Sequence, residues 1–171
     1  VLACTACRHL PWRRELLEEW AEVAQAQGMR AFVQGNLRWL VGMRSLRRVW
    51  PAFTLLAPIA FNVPVGGFVA QIRAILSMDD SLRAELCDIA VPTLVIVGSQ
   101  DTLTPMGDSH ELASLIPNAE LAVVSGAAHT FMVERAGTFN RTVLGFLDGA
   151  RPASESPDVA DLDDDLDAAT A

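Results

Sequence analysis

The segment that decides the fold is PTLVIVGSQDTLTP, residues 92–105. Five apolar or β-branched residues fill the span between Pro92 and Gly98, a pattern typical of a strand that is buried on both faces. Asp101 follows three residues after Gly98, just past the end of this predicted strand. A carboxylate in that position needs either a local hydrogen-bonding role or a partner from elsewhere in the chain.

Regular elements with short connections follow this strand along the chain. The pattern predicts strands over residues 93–97 and 121–124, and helices over residues 106–115 and 139–147. Residues 1–6 have the pattern of one more short buried strand. Strands that alternate with helices indicate a parallel sheet, so we predict an α/β fold with about three strands.

The residues between the first two predicted strands carry helical patterns only. Helices are predicted over residues 11–28, 29–41, 44–56, 65–78 and 80–87. We therefore expect a helical cap, residues 10–88, inserted into an α/β core that is formed by residues 1–9 and 89–148. Residues 149–171 are expected to form a separate tail.

Residues 49–72 contain no charged side chain, which raises the possibility of a transmembrane helix. The length would suffice, because about 20 apolar residues span a bilayer. Pro51, Pro58 and Pro64 would interrupt helical hydrogen bonding along this run. We therefore predict a lid of short helices, buried or facing a ligand, and no membrane span.

The negative charge is concentrated at one end of the chain. The formal net charge is -8, and the residues from Asp148 onward hold eight acidic side chains against one arginine. The rest of the chain is nearly neutral and offers no basic face for nucleic acid. The acidic tail, rich in proline and serine before the acidic run and without aromatic residues, is predicted to be disordered.

The cysteine pattern indicates reduced thiols. Three cysteines are an odd number, and no signal peptide is evident, so we expect a cytoplasmic location. Cys4 and Cys7 form the motif CTAC, but no second CxxC and no Cys/His cluster completes a metal site. We interpret them as small apolar side chains at the end of a strand, and expect no metal and no cofactor.

A histidine follows the next strand along the chain. His129 lies in VVSGAAHTFMVE, after the strand predicted at residues 121–124, as Asp101 lies after residues 93–97. Singly, Asp101 could be a turn or helix cap, and His129 could satisfy a backbone carbonyl. Because the carboxyl ends of parallel strands meet at one edge of a sheet, we predict instead that the two side chains pair. Such a carboxylate fixes the imidazole tautomer and stabilises the imidazolium.

These residues together give the chain a family resemblance. Residues 89–147 resemble the C-terminal portion of an α/β-hydrolase. The resemblance rests on Val91, Pro92, Gly98, Asp101, Ile116, Pro117, the small-residue turn before His129, Glu134, Phe139, Asn140 and Phe146. By this resemblance, Asp101 is the acid and His129 the general base of a catalytic triad, in the family's chain order.

The resemblance also implies a nucleophile on a G-x-S-x-G turn, and none of the serines here lies in that motif. Ser99 is in the acid loop, Ser125 precedes the histidine loop, and Cys4 lacks flanking glycines. We expect that the chain lacks the N-terminal half of the fold, including the nucleophile and oxyanion hole. Alone, it should not be an efficient hydrolase.

The cap implies a small apolar, ester-like substrate held between cap and core. Candidates for lining that site are the aromatic residues Trp39, Trp50, Phe53 and Phe61, with core packing as the alternative role for each. The chain has no tyrosine, which disfavours the epoxide hydrolases of this fold. Within this family, the resemblance is closest to enol-lactonases, carboxylesterases and carbon–carbon bond hydrolases. A haloalkane dehalogenase is a further alternative.

The sequence also offers alternative functions and further candidate residues. A split or decayed hydrolase could act as a non-catalytic subunit that associates through an incomplete sheet edge. A nucleotide-binding domain is disfavoured because no glycine-rich turn joins a strand to a helix. His9 and His110 are expected at the surface or as caps, and Asp108 as a favourable charge in a first helical turn.

Overall fold

The computed structural model describes residues 1–48 and 63–149. Outside these residues lie nearly all of the predicted acidic tail and the larger part of the uncharged run 49–72. The latter part contains the aromatic residues Trp50, Phe53 and Phe61. Strands β1 to β3 span Leu2–Ala3, Thr93–Gly98 and Ala119–Val124. Helices α1 to α6 span Pro11–Leu40, Val65–Ser77, Leu82–Glu85, Met106–Leu115, Phe131–Glu134 and Ala136–Leu147, and a 3-10 turn spans Leu86–Asp88.

The three strands form one parallel sheet in the order β1-β2-β3. Val95 of β2 pairs with Leu2 of β1 on one side and with Leu121 of β3 on the other. Every residue of β2 is buried, as its uninterrupted apolar sequence predicted. The predicted α/β fold with a parallel sheet of about three strands is therefore confirmed.

Strand β1 is shorter than the sequence predicted. It ends at Ala3, because Cys4 adopts a φ of 46°, in the left-handed region that non-glycine residues rarely enter. The backbone N–H of Cys4 still donates to the carbonyl of Ile96 in β2, at 3.0 Å. The chain thus turns away from the sheet immediately after Cys4 and fixes this side chain at the end of the strand.

Helix α1 is two helices joined at a kink, in agreement with the predicted break at Gly28. Gly28 has φ 80° and ψ 168°, a conformation that glycine adopts at little cost. Both halves pack with α2 into an apolar core in which the rings of Trp20 and Phe32 meet edge to face at 5.3 Å. Residues 43–48 are also helical, and the rest of the helix predicted at 44–56 lies outside the described residues.

A second apolar cluster lies around the sheet and the C-terminal helices. Leu94, Ile96 and Val124 pack there with Phe131, whose ring meets Phe139 at 5.4 Å. Helix α5, a single turn, was not predicted from the sequence, and α6 begins at Ala136 where the pattern predicted Phe139. Among the helices of the described residues, none combines the length and the apolar character that crossing a bilayer requires.

Candidate active site

Asp101 is buried directly after β2, within a turn that binds its carboxylate. Oδ1 accepts the backbone N–H groups of Leu103 and Thr104, each at 2.9 Å. Oδ2 accepts the hydroxyl of Thr104 at 2.8 Å. Hydrogen bonds from its own turn therefore hold both carboxylate oxygens of Asp101, without any contribution from another loop. Asp101 thus also caps its turn, the alternative role that the sequence left open, and Oδ2 can still accept a further hydrogen bond.

His129 completes the surroundings of that carboxylate. Its Nδ1 lies 2.9 Å from Oδ2 of Asp101, and the side chain of Asp101 is 0% exposed while that of His129 is 23% exposed. Because a carboxylate only accepts hydrogen bonds, Nδ1 carries the proton in this pair. The Nε2 atom has no hydrogen-bond partner among residues 1–48 and 63–149. The structure thus brings together the two residues that the sequence predicted to pair.

The surroundings of Asp101 favour its ionised form. Burial by itself raises the pKa of this carboxyl, but the hydrogen bond and charge of His129 and the hydrogen bonds from Thr104 outweigh burial. The net effect holds the pKa of Asp101 below its usual range. A buried carboxylate that stays charged at neutral pH can orient an imidazole and stabilise its protonated form.

Close backbone contact between the two loops fixes this pair. A Cβ atom at Gly98 would lie 2.3 Å from the carbonyl oxygen of Ala127, which explains why glycine ends β2. The N–H of Gln100 donates to that same oxygen at 2.8 Å. The hydroxyl of Ser99 accepts the N–H of Gly126 at 2.9 Å, so Ser99 joins the acid loop to the histidine loop.

Cys4 lies against the pair from the end of β1. Its thiol donates to the backbone carbonyl of His129 at 3.1 Å. Burial, followed by the nearby charge of Asp101, raises the pKa of this thiol well above its usual value, so the reactive thiolate is disfavoured. Ligand atoms of Cys4, Asp101 and His129 lie within 4.8 Å of one another, a donor set that could hold a metal ion. In the structure these groups are joined by hydrogen bonds, with the thiol on the carbonyl of His129 and the carboxylate on Nδ1 of His129.

Thr104 was not identified from the sequence. It donates to Asp101 through both its N–H and its hydroxyl, and its Oγ1 lies 3.3 Å from Nδ1 of His129. A threonine three residues after an aspartate is a spacing that allows such a local turn, so the signal was present in the sequence.

The other candidate residues lie elsewhere. Trp39 is half-buried in the cap, packed against the core of α1 and α2 and stacked on Trp12 at 6.3 Å. His110 is exposed on α4. His9 is half-buried, and its Nδ1 is buried without a hydrogen-bond partner among the described residues.

Asp108 has a partner that the sequence did not reveal. It forms a buried ion pair with Arg13 of α1, in which the two side chains are 5% and 3% exposed. Burial raises the pKa of Asp108, opposed by the charge and hydrogen bond of Arg13. Asp108 therefore serves to join the cap to α4 and makes no contact with His129 in the described structure.

The fold and the paired loops define a class of protein. MGS-M2, an α/β hydrolase from a Medee basin deep-sea metagenome library, superposes with a TM-score of 0.75 at 25% identity, over 85% of this chain and 54% of that one. The enol-lactonase of Burkholderia xenovorans LB400 superposes with a TM-score of 0.74 at 28% identity, over the same shares. The chain has the α/β-hydrolase fold.

Sequence comparison agrees with this assignment. The family described as TAP-like protein, an α/β-hydrolase family, matches residues 76–158. A protein of Serratia proteamaculans (strain 568) that carries the name carbamate hydrolase RutD is 40% identical over 70 residues, which cover 41% of this chain and 26% of that protein. Over the part that they cover, these matches make the chain similar to the α/β-hydrolases. It spans about half the length of the solved structures it matches, and less than a third of this relative.

Proposed function

We propose that this chain supplies the acid and the base of a nucleophile-His-Asp triad, in a hydrolase of small esters, lactones or related acyl compounds. The observation that carries the proposal is the 2.9 Å contact between Nδ1 of His129 and the buried carboxylate of Asp101. That contact leaves Nε2 as the atom that exchanges a proton. The names of the relatives, an enol-lactonase and a carbamate hydrolase, support substrates that contain an acyl group.

In the proposed mechanism, Nε2 of His129 takes the proton of the nucleophile as that group attacks the acyl carbon. Asp101 stabilises the imidazolium, which then gives the proton to the leaving group. Water hydrolyses the acyl-enzyme by the same steps. The nucleophile and the oxyanion donors are proposed to come from outside the described residues, because Ser99 is engaged with Gly126 and the thiol of Cys4 is held protonated.

The substrate is proposed to lie between the helical cap, residues 10–88, and the core of residues 1–9 and 89–148. Trp39 is proposed to line that space, since it is only half-buried. Trp50, Phe53 and Phe61 are proposed to line it too, although their structure lies outside the described residues. An apolar lining of this type suits a small ester-like substrate.

The test compares two histidines in the full-length natural protein that contains this sequence. The substrates are a p-nitrophenyl ester, an enol-lactone and an aryl carbamate. His129→Gln is expected to lower kcat by roughly 10⁶-fold, because the triad acts as a unit. His110→Gln, at an exposed position, is the matched control and should leave kcat unchanged. Equal rates for the two variants would contradict the proposal.

A second candidate is a non-catalytic subunit that associates through the sheet. It is supported by the edge position of β1, which pairs with β2 on one side and has no other partner strand among the described residues. An unpaired edge can add a strand from another chain. Sedimentation of the full-length protein tests this candidate: a monomer with hydrolase activity would contradict it.

A further inference from the structure

The backbone on both sides of the His129 imidazole is held by hydrogen bonds. The N–H of Ala128 donates to Oε1 of Glu134 at 3.0 Å. The carbonyl of His129 accepts the thiol of Cys4, and the N–H of Thr130 donates to the carbonyl of Leu40 at 2.9 Å. Because Leu40 is the last residue of α1, part of this support comes from the cap.

Glu134 extends the support to a second point on the cap. Its Oε2 accepts the N–H of Gly42 at 3.0 Å, while Oε1 accepts Ala128. One carboxylate thus binds the segment after α1 and the residue before His129. The hydroxyl of Thr130 adds a further bond to the carbonyl of Leu40, at 3.0 Å. Hydrogen bonds to a carboxylate are stronger than those between neutral groups, so Glu134 strengthens this junction.

Gly42 packs closely against Glu134 and Ala128, with little space for a side chain. A Cβ atom at this buried residue would lie 3.0 Å from Oε2 of Glu134 and 3.8 Å from the Cβ of Ala128. A side chain at position 42 would therefore press on the carboxylate of Glu134, which also accepts the N–H of Ala128. Packed segments of this kind pass on small shifts because they have few alternative arrangements.

We propose that Glu134 is a positioning residue that couples the cap to the orientation of the His129 imidazole. The inference rests on the proposed function in taking His129 as the base. When the cap is seated, Glu134 holds Ala128 and so keeps Nδ1 of His129 against Asp101. When the cap end moves, the carboxylate loses one of its two donors and the histidine loop is released. The base is then correctly aligned only under a seated cap.

The first test replaces the carboxylate in the full-length protein. Glu134→Ala removes both acceptors, whereas Glu134→Gln retains one carbonyl oxygen and places an NH₂ group against the other N–H donor. We expect kcat to fall about 10²-fold in Glu134→Ala, with partial recovery in Glu134→Gln, because a displacement of about 1 Å costs that much. Glu85→Gln, an exposed glutamate, is the matched control and should have normal turnover.

The second test reads the position of the imidazole without turnover. In the wild type, the Nδ1 proton of His129 should give a downfield ¹H resonance in NMR spectra that Glu134→Ala weakens or removes. Gly42→Ala should do the same from the cap side, because its Cβ presses on Oε2 of Glu134. Gly42→Ala also keeps the inference testable if Glu134→Ala does not fold.

The outcomes separate this inference from the proposed function. If His129→Gln leaves kcat intact, the proposed function fails, whatever Glu134 does. If His129→Gln abolishes activity while Glu134→Ala and Gly42→Ala keep both kcat and the Nδ1 resonance of the wild type, the coupling inference alone is overturned. A lower melting temperature with an unchanged resonance would show a structural role only, and would also overturn it.

Discussion

Oδ2 of Asp101 lies 2.9 Å from Nδ1 of His129, although the two residues are 28 positions apart in the chain. The contact exists because β2 and β3 are parallel neighbours, so that the loops after both strands emerge at the same edge of the sheet. Thr104 fixes the carboxylate and Cys4 contacts the backbone of the histidine, so the pair is held from both sides.

The stability of the chain should depend on pH through Asp101. Its pKa is lower when folded than when unfolded, so its contribution is complete above the unfolded pKa of about 3.9 and is lost as the pH falls through the folded value. Asp101→Asn lacks this titration. Urea unfolding at pH 5 and pH 3 should show that the free-energy difference between the wild type and Asp101→Asn is smaller at pH 3. A constant difference would contradict this assignment.

Gly98 should be intolerant of even one methyl group. Gly98→Ala places a Cβ within 2.4 Å of two backbone carbonyl oxygens, those of Ala127 and Ala128, which cannot rotate away. We expect a loss of about 3 kcal/mol in the free energy of unfolding, measured by urea denaturation. Gly107→Ala is the control, because nothing lies near its added Cβ, and it should be neutral or stabilising by up to about 1 kcal/mol. Similar results for the two variants would contradict the close approach of the loops.

The ion pair of Arg13 and Asp108 should be important for the attachment of the cap. Arg13→Met leaves a buried carboxylate without its partner and should cost about 3 to 5 kcal/mol of unfolding free energy. Adding Asp108→Leu should restore part of that loss, since no uncompensated charge then remains. Arg8→Ala, which breaks an exposed pair with Glu111, should cost about 1 kcal/mol or less. If Arg13→Met matched Arg8→Ala, the buried pair would not join cap and core as described.

Elements defined by local patterns could be predicted from the sequence. Strand β2 and helix α4 lie where their apolar runs and bounding prolines placed them. The pairing of Asp101 and His129 could also be predicted, because it needs only the order of the strands and the rule that parallel strands end at one edge.

The features that could not be predicted depend on contacts between distant segments. Arg13 and Asp108 are 95 positions apart, and nothing in the helical pattern of α1 indicates that this arginine is buried. The double role of Glu134 depends on where the cap helix ends, and the left-handed φ of Cys4 on its packing against the histidine loop. Each of these features is set by tertiary packing and not by the local sequence pattern.

The most direct test of the central claim, that Asp101 orients His129 as the base, is the kcat of Asp101→Asn in the full-length protein. The account predicts a fall of about 10⁴-fold with the fold retained, because the asparagine can no longer stabilise the required tautomer and imidazolium. Asp108→Asn, at the other buried aspartate, should lower stability and leave kcat near the wild type. A fall in kcat of less than tenfold in a folded Asp101→Asn would contradict the account and move the acid to another residue.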